Sequence, residues 1–207
     1  NTVAATPVEQ LLVVEPRVLT VAVKPASRAY GQATPGFVLE YTGLVNGDTA
    51  EVVTAPVATT EATTTSVPGS YAVKLSGGSA LNYTLRRQDG TLTVTKAAQQ
   101  ISFPTPLNQA VDNPPFSLGA VASSGLAPVY TVVSGPATVA VNVLTVTGAG
   151  TVVVKVGQPG DSNYEAAVEV ERSCTVAAGI GVAGVTAEQA AGAYGAGTTI
   201  RVQVNFT

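Results

Sequence analysis

Apolar and polar residues alternate one by one along several short stretches of this chain. Between residues 37 and 42 the apolar set is Phe37, Leu39 and Tyr41; between 71 and 76 it is Tyr71, Val73 and Leu75, with Lys74 on the opposite side. Leu92 and Val94 alternate with threonines. Val152, Val154 and Val156 alternate with Val153 and Lys155, and Val168 and Val170 with Glu169 and Glu171. Near the C-terminus Ile200, Val202, Val204 and Phe206 alternate with Arg201, Gln203 and Asn205. A period of two sends one face of each stretch to a core and the other to water, which is the pattern of a half-buried strand. Turn residues separate the stretches: Asn46-Gly47-Asp48, Pro68-Gly69, Gly77-Gly78, Asp89-Gly90, Gly148-Ala149-Gly150 and Pro159-Gly160-Asp161. Many short strands with turns at this spacing predict an all-β chain of sandwich type rather than a parallel sheet. Helical periodicity is absent, and residues 186–191 leave room for one short helical turn.

Several short motifs return about eighty residues later, the signature of tandem modules. Asn82-Tyr83 returns as Asn163-Tyr164, Pro35-Gly36-Phe37 as Pro114-Pro115-Phe116, and Gly43-Leu44 as Gly125-Leu126. The run from Gly90 to Thr95 has an echo from Val143 to Thr147, at a different offset. Ala29-Tyr30-Gly31 reappears as Ala193-Tyr194-Gly195. The chain divides accordingly into a leading strand or tail (residues 1–17), a first module (18–96), a second (97–178) and the opening of another (179–207). The last piece is too short to close a sandwich core by itself. The Lys96-Ala97-Ala98 junction is short, so the two modules are expected to be semi-rigidly coupled.

Composition narrows the class. Of 207 residues, 45% are hydrophobic, enough for real cores, and only 11% are charged, against about 25% in an average soluble protein. The apolar residues are mostly Val and Ala, with Thr the dominant polar partner; Val and Thr are β-branched and suit strands. Net charge is -3 with no Lys/Arg run, so the electrostatic footprint of a nucleic-acid binder is missing. No apolar stretch approaches the roughly 18 residues of a membrane helix. The N-terminus lacks a signal peptide's charged and apolar regions, so the chain is expected to be mature or excised from something longer. Cys174 is the one cysteine, in phase with Val170 and Val176, and is expected to be a small buried hydrophobe.

Candidate chemistry is sparse. The chain has no histidine, which removes the commonest general base and most zinc sites. Calcium loops are conceivable at Asp48, at Asp112-Asn113 and at Asp161-Ser162-Asn163. Each offers a single carboxylate, however, where calcium takes about six to eight oxygens, and turn chemistry accounts for all three. Glu165, Glu169 and Glu171 cluster in sequence, but alternation puts Glu169 and Glu171 on a solvated face. Tyr83 and Tyr164 follow Asn at matching positions, which predicts a shared packing role with the ring buried and the hydroxyl bonded to backbone. Tyr30 and Tyr194 precede Gly and are expected at module ends. Lys24, Lys74, Lys96 and Lys155 are available for a covalent crosslink to a carboxyl or amide, though spacing alone places none of them near one. No residue is assigned a catalytic, cofactor-binding or metal-ligating role, and an enzyme is not expected.

One resemblance is specific. The run from Leu19 to Pro35 with its Ala29-Tyr30-Gly31 is followed by Tyr41-Thr42-Gly43-Leu44-Val45-Asn46-Gly47-Asp48, then Pro68-Gly69-Ser70-Tyr71, Ser79-Ala80-Leu81-Asn82-Tyr83 and Gly90-Thr91-Leu92-Thr93-Val94-Thr95-Lys96. Residues 18–96 thereby resemble the MBG family, a mostly bacterial immunoglobulin-like repeat of large surface proteins. Residues 99–178 resemble a related bacterial immunoglobulin-like repeat through Ser123-Ser124-Gly125-Leu126, Gly148-Ala149-Gly150-Thr151 and Asn163-Tyr164. The resemblance implies tandem immunoglobulin-like sandwiches, export to the cell surface, and a structural stalk or spacer role in an adhesin. It also leaves open a subunit of an extracellular filament assembled by strand complementation, since Leu11-Leu12-Val13-Val14 and the trailing partial module are complementary in character. A glycan-binding module is a third reading. Expected partners are neighbouring immunoglobulin-like modules of the same or an adjacent chain, with homopolymer formation open, and without nucleic acid or membrane insertion.

Overall fold

The computed structural model describes residues 10, 11, 13–187, 192, 195, 196, 199 and 201–206. The chain splits into two compact units. The first comprises Asn1–Ala97 with Ser162–Tyr164, and the second Ala98–Asp161 with Glu165–Thr207.

Among the described residues the first unit holds nine strands: β1 (Arg17–Val23), β2 (Ala26–Ala29), β3 (Leu39–Thr42), β4 (Val53–Thr54), β5 (Val57–Thr60), β6 (Gly69–Ser76), β7 (Ser79–Ala80), β8 (Tyr83–Gln88) and β9 (Gly90–Thr95). They form two sheets, ordered β3-β1-β8-β7-β4 and β2-β9-β6-β5. The sheets close on one core, in which Leu19, Val21 and Val23 from the first meet Val73, Leu75 and Leu92 from the second. Phe37, Leu39, Tyr41 and Tyr71 pack half-buried at its margin, so the expected inward sets of these strands are the observed ones.

Two long strands change sheet together. Pro25 lacks a backbone N–H and cannot continue a ladder, and the strand breaks between Val23 and Ala26. Its partner breaks beside it, at Asp89, whose Oδ1 accepts from the Leu75 N–H at 2.9 Å. Gly90 is required there, because a Cβ on it would lie 2.6 Å from Val23 Cβ. Across the break the parallel register is unchanged. It runs from Arg17↔Tyr83 to Ala22↔Gln88 in one sheet and from Ala26↔Leu92 to Ala29↔Thr95 in the other.

The second unit opens with β10 (Ile101–Ser102), β11 (Gln109–Ala110), β12 (Phe116–Ser117) and β13 (Val121–Ala122). It continues with β14 (Val129–Ser134), β15 (Ala137–Ala140), β16 (Val143–Val146), β17 (Gly150–Gly157) and β18 (Val170–Ala177). Sheets β11-β18-β17-β14 and β12-β16-β15, with the short pair β10-β13, enclose a second core. That core gathers Phe103, Leu118, Leu144, Val152, Val154, Val156, Cys174 and Val176. Each unit is therefore an all-β, immunoglobulin-like sandwich with its own apolar interior. A bulge between Val132 and Ser134 turns β14 away. Gly135 follows at φ 97°, where a Cβ would strike Thr151 O at 2.2 Å.

Four expectations are corrected. Val168 is 84% exposed. The ladder with β17 stops at Val156↔Val170, so the alternation before Val170 has no partner strand to bury it. The echo from Val143 to Thr147 holds a different place in its sheet: β9 pairs parallel with β2 and antiparallel with β6, whereas β16 pairs antiparallel with both β12 and β15. Within residues 186–191, Thr186 and Ala187 belong to strand β19 (Val182–Ala187), and 188–191 lie outside the described residues. Among the described residues a helical turn forms elsewhere, a 3-10 turn at Ala50–Val52 capped by the Thr49 side chain. Finally, β20 (Val202–Phe206) pairs antiparallel with β19, but Val202 and Val204 are 57% and 42% exposed. The alternation sets a face without supplying a core to receive it; Ile200, Ala193 and Tyr194 lie outside the described residues.

Leu92 and Leu144 are each fully buried, one per core. Leu92→Ala and Leu144→Ala should each lower unfolding free energy by about 2–5 kcal/mol. Urea titrations followed by tyrosine fluorescence check this, and a loss below about 1 kcal/mol would contradict the assigned cores.

Candidate functional site

Function in such a scaffold lies either in a chemical centre or in the connections between strands. The carboxylates form no centre. Among the described residues, no group of three or more His, Cys, Asp or Glu is placed to hold a metal ion. Asp48 accepts from the Tyr83 hydroxyl at 2.6 Å, and its own N–H donates to Val45 O at 3.0 Å. The Asp112 carboxylate lies against Gly179. Glu169 pairs with Lys155 at 3.0 Å on the outer surface, as Lys24 does with Glu40 at 2.8 Å. Glu171 is exposed, and the backbone carbonyl of Glu165 accepts from Gln99 at 2.7 Å. A cleft of about 580 Å³ opens beside Tyr83. Two of its polar side chains are engaged by the protein itself: Arg17 Nε donates to Gly43 O at 3.2 Å, and Asp48 accepts from Tyr83.

Connections are built with more care. Tyr83 begins β8 and is buried. Its hydroxyl donates to Asp48 and receives the Val45 N–H at 3.1 Å, closing the loop after β3 onto β8. This is the backbone-bonded tyrosine that the sequence predicts. The hydrogen bond to the Asp48 carboxylate raises the phenol's pKa above its ordinary value, since ionisation would set two anions side by side. Tyr164 differs from Tyr83 in its contacts: its ring meets Tyr30 edge-on at 5.6 Å, within the first unit. In the second unit Tyr130 does the work of Tyr83. Its hydroxyl receives the Ala120 N–H at 3.0 Å and donates to Ala120 O at 3.2 Å, and its ring packs edge-on against Phe103.

Three buried polar side chains escaped the sequence reading: Arg28, Gln99 and Gln158. Arg28 reaches across to the carbonyl of Thr63 and bonds that of Ala29 at 3.2 Å, tying β2 to the turn after β5. Gln99 donates to Gln158 Oε1 at 2.9 Å and accepts from Ser124 Oγ at 2.5 Å. Gln158 also accepts from the Gly160 N–H. Buried amides are costly unless paired, so this network fixes three loops of the second unit to one another. A polar residue at a loop edge carries no alternation signal, which hides its burial.

The terminal strands complete the site. In the first unit, ten residue pairs join β1-β2 to β8-β9, six in one sheet and four in the other. Arg17 N–H donates to Asn82 O at 3.2 Å at one end, and Tyr30 N–H to Thr95 O at 2.8 Å at the other. The repeat Asn163-Tyr164 reproduces the start of this pattern, for Ala97 N–H donates to Asn163 O at 2.9 Å and Ala97 bridges Tyr164 in parallel.

Residues 19–93 match the family model of the MBG domain (YGX type). They are an MBG module. The match begins in β1 and ends in β9, so it spans both terminal strands of the first unit. A comparison with curated proteins finds no match. Among solved structures, the chain resembles Drosophila N-cadherin EC1-3 at 12% identity and TM-score 0.31, over 80% of this chain and 68% of that one. It also resembles the N-terminal part of the bacterial S-layer protein SbsC (15% identity, TM-score 0.26) over 76% of this chain. Domains 1-6 of SbsC give 12% identity and TM-score 0.28 over 87% of it. The chain spans 44% and 30% of those two SbsC structures. No helix among the described residues is long and apolar enough to cross a membrane.

Burial raises the pKa of the Cys174 thiol, as the Asp48 bond does for Tyr83 in the MBG module. In both cases the folded state keeps its proton to higher pH than the unfolded chain does. Stability from these groups is therefore complete below the unfolded values, roughly 8.5 for thiol and 10 for phenol, and is lost as pH rises through the folded ones. Urea midpoints measured from pH 7 to 11 should fall in that window. Tyr83→Phe should remove the loss that starts near 10 and Cys174→Ala the one that starts lower. Unchanged alkaline curves in both variants would refute the assignment.

Proposed function

We propose that this chain is a structural, non-enzymatic segment of an exported bacterial surface adhesin, a load-bearing stalk or spacer that works through its neighbours in a module array. The observation that carries this reading is the parallel pairing of the first and last strands of the MBG module. Tension on such a module enters at Arg17 and leaves at Thr95, at opposite ends of the paired strands. The hydrogen bonds are then loaded together, along the strands, rather than opened in turn. A lightly charged sequence rich in threonine supports the same role. The partners in this reading are immunoglobulin-like modules of the same or an adjacent chain.

A second reading is a filament subunit assembled by strand complementation. It is favoured by the exposed apolar face of β19-β20, where Val185 stands opposite Val204, and by the exposure of Leu11, Val13 and Val14. Unpaired strand edges of this kind accept added strands.

Display on a bacterial surface separates the readings from a glycan-binding role. With an epitope beyond the chain, doubling residues 18–178 should move the epitope outward and deleting them should bring it inward. Super-resolution imaging reads the distance. The isolated chain should give no hits on a glycan array. An unchanged epitope height, or specific glycan capture, would overturn the spacer reading, and a strict monomer by light scattering at high concentration would eliminate the filament.

A further inference from the structure

We infer that the chain yields to tension in a fixed order: the β19-β20 hairpin first, the second unit next and the MBG module last. The inference deepens the load-bearing reading and rests on it for its biological use. Its basis is the pairing of the strands through which force enters and leaves each part.

In the hairpin, Val182 pairs with Phe206 and Ala187 with Val202. The strands are antiparallel, and tension arrives at Val182 and Phe206, on the same open end. The pairs separate one at a time, so the hairpin opens at the lowest force. Its exposed valines add little resistance, since no core holds them.

The second unit has parallel terminal strands, but little of them is paired. Gln109↔Val176 and Ala110↔Ala177 join β11 to β18, and the isolated parallel bridge Ala97↔Tyr164 with its Ala97 N–H to Asn163 O bond keeps the same register far back along the chain. The Val111 N–H adds a bond to Ala177 O at 3.1 Å, and Asn108 Oδ1 accepts the Thr175 N–H at 3.0 Å. Further back, β10 pairs with β13 alone, and residues 165–169 lie in no strand. The Gln99 amide supplies a tether to Glu165 O, but a side-chain tether carries load by itself rather than in a shared ladder.

The MBG module has ten residue pairs in one register, extended at both ends by the Arg17 and Tyr30 backbone bonds. The ribbon also spans both sheets. Sliding β1-β2 past β8-β9 therefore strips Leu19, Val21 and Val23 from one side of the core and Leu92 and Val94 from the other, all of them buried. Forced unfolding is governed by the barrier to rupture. Breaking more bonds at once, with more apolar surface attached, raises that barrier.

Cys174 makes the order readable. It is 4% exposed, inside the second core, and is the chain's one cysteine. The whole chain is held between terminal peptide tags in magnetic tweezers, in buffer containing a maleimide reagent that blocks refolding once coupled. A short step of about 8 nm should come from the hairpin, followed by two long steps of about 25 nm, one per unit, from the extended length of each segment. The two long steps are alike in length, so the thiol identifies them. Molecules held after the first long step should carry the label on Cys174 and fail to recover that step on relaxation. At a shared force the second unit should rupture at least about tenfold faster, the factor given by one or two additional hydrogen bonds in the barrier. A reciprocal chain carrying Cys174→Ala and Val73→Cys moves the reporter to the first core, where Val73 is fully buried; it should couple only after the second long step. Protection of Cys174 through the first long step, or steps in random order, overturns the inference while leaving the load-bearing reading intact. Extension without long force-bearing steps removes both.

Discussion

The first and last strands of the MBG module run side by side in one direction and cross from one sheet to the other without losing register. Nearly everything else in the unit depends on that ribbon. It pairs the opening of the module with its close along their length, which places β1 and β8 inside one sheet and β9 inside the other. It also supplies apolar side chains to both faces of the core, Leu19 and Val21 from one sheet and Leu92 from the other. Two residues allow the crossing. Pro25 ends the first ladder because it has no N–H to donate, and Gly90 lets the partner strand pass against Val23 where any side chain would collide.

Around this ribbon, loops are held by polar groups that solve one problem with different residues. A buried hydroxyl or amide stabilises only when its hydrogen bonds are made. Tyr83 meets the condition by bonding the Val45 backbone and Asp48, and Tyr130 by bonding both backbone groups of Ala120. Gln99 and Gln158 satisfy one another and two loops besides. In each case the polar group fixes a loop in place.

The two sequence repeats share a plan and diverge in how fully they execute it. Ala97 meets Asn163 and Tyr164 as Arg17 meets Asn82 and Tyr83, and this local equivalence is what the repeated Asn-Tyr records. Beyond it the second unit breaks its terminal pairing into short pieces and relies on the long β17-β18 ladder. Strand alternation does not distinguish a fully paired terminal strand from an intermittent one, because both bury every second residue when a core is near. The difference is in backbone hydrogen bonds, which side-chain pattern records poorly.

The sequence by itself determined the all-β class, the inward faces around Val73, Leu92 and Val154, the burial of Cys174 and the backbone role of Tyr83. Each of these follows from local periodicity or turn chemistry, which act over a few residues. It also announced an MBG module through motifs scattered from Leu19 to Thr95. Only the tertiary structure decided that Val168 and Val202 face water, that Tyr130 bonds backbone as Tyr83 does, and that Arg28, Gln99 and Gln158 are buried. Those outcomes depend on which strand arrives from far along the chain to cover a given face. Period-two patterning says that a residue has a dry side available; whether another strand covers it is set by long-range pairing, and that pairing is written in no single stretch of sequence.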